Sequence, residues 1–309
     1  MRKYWLLLAM LLSFCVQNTA CVIPLDAVNA AVTYSFSGGR LGDNILSYVH
    51  ALWVSYKYDI PLLYRPFRYS EQLALHDPQK DRDTLIEKYT NTIQCGLTRN
   101  VKIERSAKVL YTVPFYSEFN QEKIPPYLKV DWDNKRFKDL MKRRLKSSTP
   151  IKQFIPKDRI TVAIHVRKGG GFDINGQNFM PYKFPPDSFY IKSLKTISEM
   201  LRDQPIYAFI FTDDAHPEHI AQEYARRVNL PNITYDYRKA GNHYAANVLE
   251  DLFAMSKFNC LIRPLSNYSL IASKLGSMMI EIAPAYNGIR HGAPFAGKLT
   301  IIDKRAQRS

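Results

Sequence analysis

The stretch Ile164-His165-Val166-Arg167-Lys168-Gly169-Gly170-Gly171 ends an apolar run with a guanidinium and follows it with three glycines. A planar guanidinium fork matches phosphate oxygens, and glycines let backbone N–H groups come close to an anion. Anion binding by Arg167 and the Gly169 turn is the chemistry this order of residues offers; a solvated turn with an exposed basic pair is the plain alternative. His165 stands two residues before Arg167 and shares its face in a strand, although taken alone it also fits a satisfied core position. A second run ends in Phe211-Thr212-Asp213-Asp214-Ala215-His216. Asp213 and Asp214 suit ribose hydroxyls, base amines or a divalent ion, or else cap the helix that starts at Pro217. A third segment, Arg263-Pro264-Leu265-Ser266-Asn267-Tyr268-Ser269, opens a helix with hydroxyl and amide groups. Ser266, Asn267 and Ser269 there fit a diphosphate, and the same residues make ordinary caps. The fourth, Ser37-Gly38-Gly39-Arg40-Leu41-Gly42-Asp43-Asn44, is a glycine turn before a helix without the spacing of the dinucleotide fingerprint or the P-loop lysine. Set across a cleft from Arg167, it offers an acceptor side and a carboxylate, Asp43.

Elements that alternate strictly between strand and helix must hold these segments. Arg159 to Val166, Ile206 to Thr212, Ile233 to Tyr237, Cys260 to Arg263 and Met278 to Ile282 read as buried strands. Between them run helices over Asp187 to Arg202, with Asp187 as cap, Pro217 to Val228, Asn247 to Phe258 and Asn267 to Leu275. That alternation predicts an α/β fold with a doubly wound parallel sheet, in which ligands lie beyond the carboxyl ends of the strands. The first half begins with a strand at Val32 to Phe36 and a helix at Asn44 to Lys57, whose apolar stripe is Ile45, Val49, Leu52, Trp53 and Tyr56. Further strands are expected at Pro61 to Tyr64 and Val109 to Val113, with helices at Asp83 to Tyr89 and near 134–146. A chain of 309 residues is long enough for two cores. Ser147-Ser148-Thr149-Pro150 divides it into domains at 32–150 and 151–309.

The net charge of +15 favours an anionic partner such as a nucleotide, a nucleic acid or an acidic membrane surface. Lys135 to Lys146 is the densest basic run, and helical spacing of Phe137, Leu140, Met141 and Leu145 turns its charges to the opposite face. That face is a solvated surface, with membrane-surface association as the alternative. Arg2 and Lys3, the apolar run Tyr4 to Val16 and the polar residues before Cys21 lay out residues 1–20 as a signal peptide or short membrane anchor. The expectation is export, or residence in a secretory-pathway lumen with that segment as an anchor. Cys21, Cys95 and Cys260 show no CxxC spacing, so neither a zinc site nor a disulfide framework is expected.

Gly39-Arg40-Leu41-Gly42-Asp43-Asn44 resembles the Gly-Arg-Leu/Phe-Gly-Asn-Gln turn of α1,2- and protein O-fucosyltransferases. His165-Val166-Arg167-Lys168-Gly169 is similar to their His-x-Arg-x-Gly-Asp segment. Asp251-Leu252-Phe253-Ala254-Met255-Ser256 and Ser266-Asn267-Tyr268-Ser269 resemble their Asp-Phe-x-x-Met-Ser and Ser-Asn-Ser-Thr-Phe-Ser stretches, in the same order from about residue 32 to 285. The resemblance implies a GT-B architecture of two Rossmann-like domains facing a cleft, and inverting transfer of fucose from GDP-fucose to a glycan or protein hydroxyl. No metal, no other cofactor and no nucleic-acid partner are implied. It gives Arg167 the donor's β-phosphate and a catalytic role, to which our own reading of the residues adds Asp43 as the candidate carboxylate. Gly39, Arg40, Gly42, Asn44, His165, Gly169, Asp213, Asp214, Ser266, Asn267 and Ser269 join Arg167 around the donor. Two positions depart from the motifs: Gly170 replaces an aspartate, with Asp173 nearby, and Asp43 replaces an asparagine. Asp43 is then either a general base or a helix cap. The alternatives are a related transferase using another nucleotide sugar, such as an activated heptose, and an exported, non-catalytic glycan- or nucleotide-binding protein of the same fold.

Overall fold

The computed structural model describes residues 29–75, 89, 91–96, 100–105, 108–148, 150, 152–172, 174–285 and 295–307. The leader over 1–20, Cys21, Asp173 and all of the helix expected at Asp83 to Tyr89 except Tyr89 lie outside them. No helix among the described residues is long and apolar enough to cross a membrane.

Two parallel arrays organise the chain. The first consists of β1 (Ala30–Tyr34), β2 (Asn91–Gln94) and β3 (Val109–Val113) in the order β1-β3-β2. β1 lies two residues ahead of its expected position. Pro61 to Tyr64 forms no strand and meets β1 through the isolated bridge Val32↔Leu62 and a Thr33 hydroxyl donated to the Leu63 carbonyl at 3.1 Å, because a proline gives no N–H to extend a ladder. Helix α1 (Leu41–Tyr58) begins three residues before the expected start. Arg40 is its cap residue, and Asp43 and Asn44 both donate their N–H to the Arg40 carbonyl at 3.0 Å. Asp43 is therefore a first-turn residue and not the cap. The expected single stripe is also too narrow, since every residue from Ile45 to Val54 is buried. Such a helix is enclosed on all sides. Helix α2 (Lys135–Arg144) is capped by Asn134, whose side chain accepts from Phe137 N at 3.0 Å. It buries Phe137 and Met141 and leaves Lys135, Arg136, Lys142 and Arg143 exposed.

The second array holds β4 (Ile160–Val166), β5 (Ile206–Thr212), β6 (Ile233–Tyr237), β7 (Cys260–Ile262), β8 (Ile280–Pro284) and β9 (Leu299–Asp303). Their order is β6-β5-β4-β7-β8-β9, parallel except for β9, an antiparallel edge strand the sequence reading did not contain. Helices α3 (Ile174–Phe179), α4 (Asp187–Met200), α5 (Pro217–Val228), α6 (Val248–Met255) and α7 (Asn267–Leu275) connect them. Asp187 does not cap α4. Pro186 holds that position, and the Asp187 carboxylate instead accepts from Lys168 Nζ and the Tyr224 hydroxyl, both at 2.9 Å.

Strand alternation divides the interior into two cores. Val162, Ile164, Ala208, Ile210, Cys260 and Ile262 face α4 and α5. Ala163, Tyr207, Phe209, Phe211 and Leu261 face the other way, into a core continuous with β1, β3, α1, α2, α6 and α7. Buried, hydrogen-bonded carboxylates flank that shared core. Arg263 Nε meets Glu281 Oε1 at 2.6 Å and Ser273 donates to the same carboxylate, while Glu118 joins His50 at 2.8 Å and accepts from Trp132 Nε1 at 2.9 Å. Burial alone raises both carboxyls, but Arg263 with Ser273, and His50 with Trp132, overcome it and hold Glu281 and Glu118 below the usual range. Their contribution to stability is complete above the unfolded carboxyl pKa of about 4.3 and is lost as pH falls through the depressed folded values. At pH 7, Glu281→Gln leaves the Arg263 charge buried and unmatched. The expected loss in urea unfolding is about 3–5 kcal/mol, shrinking as both chains are acidified below about pH 4; an unchanged midpoint at neutral pH refutes this.

Candidate functional site

The strand order reverses between β4 and β7, and open α/β sheets bind ligands outside the carboxyl ends of strands at such a switch point. A cavity of about 570 Å³ opens there, within the roughly 300–1,000 Å³ range of small-molecule sites. Its walls come from the turn before α1, the segment after β3, the ends of β4 and β5, the loop ahead of α6 and the start of α7.

The charged wall is cationic. Arg167 follows β4, with its guanidinium over the rings of Phe184 at 4.8 Å and Phe172 at 5.8 Å. Arg40 reaches in from the opposite half and lies over Tyr244 at 4.7 Å and Phe172 at 5.6 Å. Neither forms an ion pair with a described carboxylate. Burial and the neighbouring Arg40 lower the Arg167 pKa against the pull of Asp213, a shift that leaves an arginine charged. Beside them His165 is buried, its pKa pushed down to about 3 by burial and then by Arg167 and Arg263. Its imidazole is neutral at physiological pH, and Nδ1 has no hydrogen-bond partner among the described residues.

Facing this wall, the N-termini of α1 and α7 converge. Asn267 Nδ2 donates to Asp43 Oδ1 at 2.6 Å across the two halves. A Cβ on Gly42 would collide with the Tyr268 backbone, and one on Gly39 with the Asp43 carboxylate. Each glycine permits a close approach. Gly170, at φ +54°, plays a related part: a side chain there would run into the Asp213 carboxylate and the Arg40 guanidinium. Asp213 Oδ1 accepts from Lys168 N at 2.7 Å and so closes the glycine turn from the end of β5. A carboxylate thus stands beside Gly170 although the chain has no aspartate at that position.

Gly39, Arg40, Gly42, Asp43, His165, Arg167, Asp213, Ser266 and Asn267 all line the cavity. Asn44, Gly169, Asp214 and Ser269 do not. Asp214 turns back and accepts from His216 N at 2.8 Å, and His216, not either aspartate, caps α5. Ser269 is fully buried, with its hydroxyl donated to the Ser266 carbonyl. Sequence reasoning missed an aromatic and basic group after the glycine turn, Phe172, Tyr182 and Lys183, as well as Phe115 and Phe119 after β3 and His243 and Tyr244 before α6. It quoted Asp251 in a motif without assigning it to the site. Burial pushes this cavity-lining carboxyl up to about 6 against its pairing with Arg238. The nearest sequence signal for the missed group was the aromatic density of Phe172 to Phe184.

The chain is similar to a solved structure of an Arabidopsis thaliana FUT1 mutant in complex with GDP, at 13% identity over 82% of this chain and 70% of that one, with a TM-score of 0.53. POFUT1 in complex with GDP-fucose (12% identity, 81% and 95% of the two chains, TM-score 0.46) and the α-1,6-fucosyltransferase NodZ from Bradyrhizobium soaked with GDP-fucose (12%, 89% and 99%, 0.46) superpose more loosely, too loosely to carry inference. No protein-family model matches the chain, and comparison with curated proteins gives no match. The fold is of the GT-B-like α/β class. Within that class it is shared with the plant fucosyltransferase.

Gly42→Ala should separate the starts of α1 and α7, and Gly38→Ala should not, because open space surrounds Gly38 and only its φ of +80° opposes a side chain. We expect Gly42→Ala to cost about 1–3 kcal/mol and Gly38→Ala about 1 kcal/mol in chemical denaturation. Equal losses at the two positions contradict this account of the contact.

Proposed function

We propose that the chain is a glycosyltransferase that moves fucose from GDP-fucose to a glycan or protein hydroxyl, with inversion at the anomeric carbon. One observation carries the reading: two guanidiniums from opposite halves, Arg40 and Arg167, enter a cavity at the strand switch point with no carboxylate among the described residues paired to either. A diphosphate supplies the charge they lack, and helix N-termini beside them suit its oxygens. Arg167 stabilises the charge that grows on the departing nucleoside diphosphate, an effect strongest where water is excluded. Asp43 takes the acceptor's proton. Asn267 holds one oxygen of that carboxylate, so the base is oriented by a third group, as general-base catalysis requires. The aromatic walls provide faces for a base and for sugar rings. The arginines and helix ends meet the leaving group's charge, so the reading calls for no metal or other cofactor. The layout of residues 1–20 supports action in an exported or secretory-lumen setting, and the domains of the reading are 32–150 for the acceptor and 151–309 for the donor.

A thermal-shift panel of GDP, ADP and UDP at equal concentration tests the donor class, since a bound nucleotide stabilises the fold by RT ln(1 + [L]/Kd) and the tighter ligand raises the melting temperature more. GDP should give the largest shift, and transfer should require GDP-fucose. A larger shift with ADP or UDP reassigns the donor sugar; GDP binding without turnover over a broad acceptor set marks a binding protein. Arg167→Ala should reduce kcat by about 10²–10³. Asp43→Asn should reduce it by about 10²–10⁴, and an Asp43→Asn chain with parental turnover removes Asp43 as the base.

A further inference from the structure

Phe172 stands at the centre of three cations. Lys183 Nζ lies 5.1 Å from its ring centroid, Arg40 Cζ 5.6 Å and Arg167 Cζ 5.8 Å. They come from three separate stretches of chain, so no helical or strand periodicity brings them together. An aromatic face attracts each cation weakly, whereas three like charges sharing one cavity repel one another over the same distances. The carboxylates that line the cavity are engaged elsewhere: Asp213 by Lys168 N, Asp43 by Asn267, Asp251 by Arg238. Lys183 makes no ion pair with a described residue. Burial lowers its pKa, and Arg167 and Arg40 lower it further against the pull of Asp43. Three cations thus face one cavity whose lining carboxylates are already engaged, which is the electrostatics of an anion site.

The segment that supplies Lys183 is built, not loose. Lys183 N and Phe184 N both donate to the Met180 carbonyl, at 2.9 and 3.0 Å, and the Tyr182 carbonyl accepts from Leu265 N at 2.9 Å. Phe172 N donates to the Gly169 carbonyl at 3.0 Å, and Gln177 Nε2 donates to the Phe172 carbonyl at 3.1 Å. The same turn carries Phe184, the ring beneath Arg167. One short stretch therefore sets the height of Arg167, the position of Lys183 and the ring between them.

We propose that Lys183 is a third cation on the ligand's diphosphate, and that Phe172 is the positioning residue that spaces Lys183, Arg40 and Arg167 to span its two phosphates. This rests on the glycosyltransferase reading and adds to it a residue outside every motif in the chain. In the transfer step the acceptor oxygen forms the new bond to the anomeric carbon. The bond from that carbon to the diphosphate oxygen breaks with its electron pair going to the diphosphate, and the acceptor proton passes to Asp43. Lys183 meets part of the charge released.

Titration calorimetry with GDP and GMP on the full chain, with Lys183→Met, Lys183→Arg and Phe172→Leu, tests the proposal. Lys183→Met should weaken GDP binding about tenfold or more, the scale of one charge-assisted hydrogen bond, and change GMP binding little; Lys183→Arg should retain most of the GDP affinity. Phe172→Leu should weaken GDP binding severalfold. Without ligand, Lys183→Met should melt at or above the parental temperature, because it removes one of three repelling charges, whereas a purely structural lysine would lower it. Parental GDP affinity in Lys183→Met, or a lower melting temperature without ligand, overturns the proposal and leaves the functional reading standing. A parent chain that binds no nucleoside diphosphate sinks both.

Discussion

The cavity depends on how closely the start of α1 approaches the start of α7. Both helix ends carry positive partial charge, and two such ends facing each other repel unless something negative stands between them. Asp43 is that group, hydrogen-bonded to Asn267 on the far side. Gly42 makes the distance attainable and Gly39 leaves room for the carboxylate. One side chain thus joins the halves and presents an acid to the cavity between them. Its orientation and the closure of the cleft are consequences of the same contact.

A second dependency runs through the glycine turn after β4. The turn takes positive φ at Gly169, Gly170 and Gly171, and its shape is fixed by Asp213 from the neighbouring strand. A side chain at 170 and the present position of Asp213 are mutually exclusive. Gly170 therefore leaves the carboxylate beside this turn to be supplied from the end of β5. This follows from parallel register, which places the end of β5 beside the end of β4 through the pair Val166↔Thr212.

The sequence revealed the second sheet well because buried parallel strands are near-continuous apolar runs, and Ile160–Val166 and Ile206–Thr212 stand out as such. It revealed the other elements less well where a distant partner decides. The start of α1 is set by a contact with Tyr268, more than two hundred residues away, so local capping rules put it at Asn44. β2 is a short, largely exposed edge, Asn-Thr-Ile-Gln, with no apolar signature, and β9, Leu-Thr-Ile-Ile-Asp, is an edge whose isoleucines stay exposed and whose place is set by pairing with β8. Within the site, Asp213 and Asp214 look alike in sequence, yet adjacent residues at a strand end point apart and only Asp213 enters the cavity. Ser269 sits two residues into α7 and faces the core. Lys183 and Phe172 belong to a stretch without periodicity, where side-chain direction is set by turns that propensity does not encode.

The continuous core beneath the cleft constrains how a ligand enters and leaves. Tyr207, Phe209 and Phe211 of the second sheet share one apolar interior with α1 and β1 of the first. Swinging the halves apart would wet that interior and separate Asp43 from Asn267, so this molecule is not a jaw. Breathing is cheapest where little is buried, and α3 buries none of its residues and leaves Ile174 and Phe179 in solvent. Opening then costs least at α3 itself, between the hydrogen-bonded turns that carry Phe172 and Lys183. The rate at which any occupant leaves the cavity becomes a property of one short exposed segment, open to tuning without disturbing the rest of the fold.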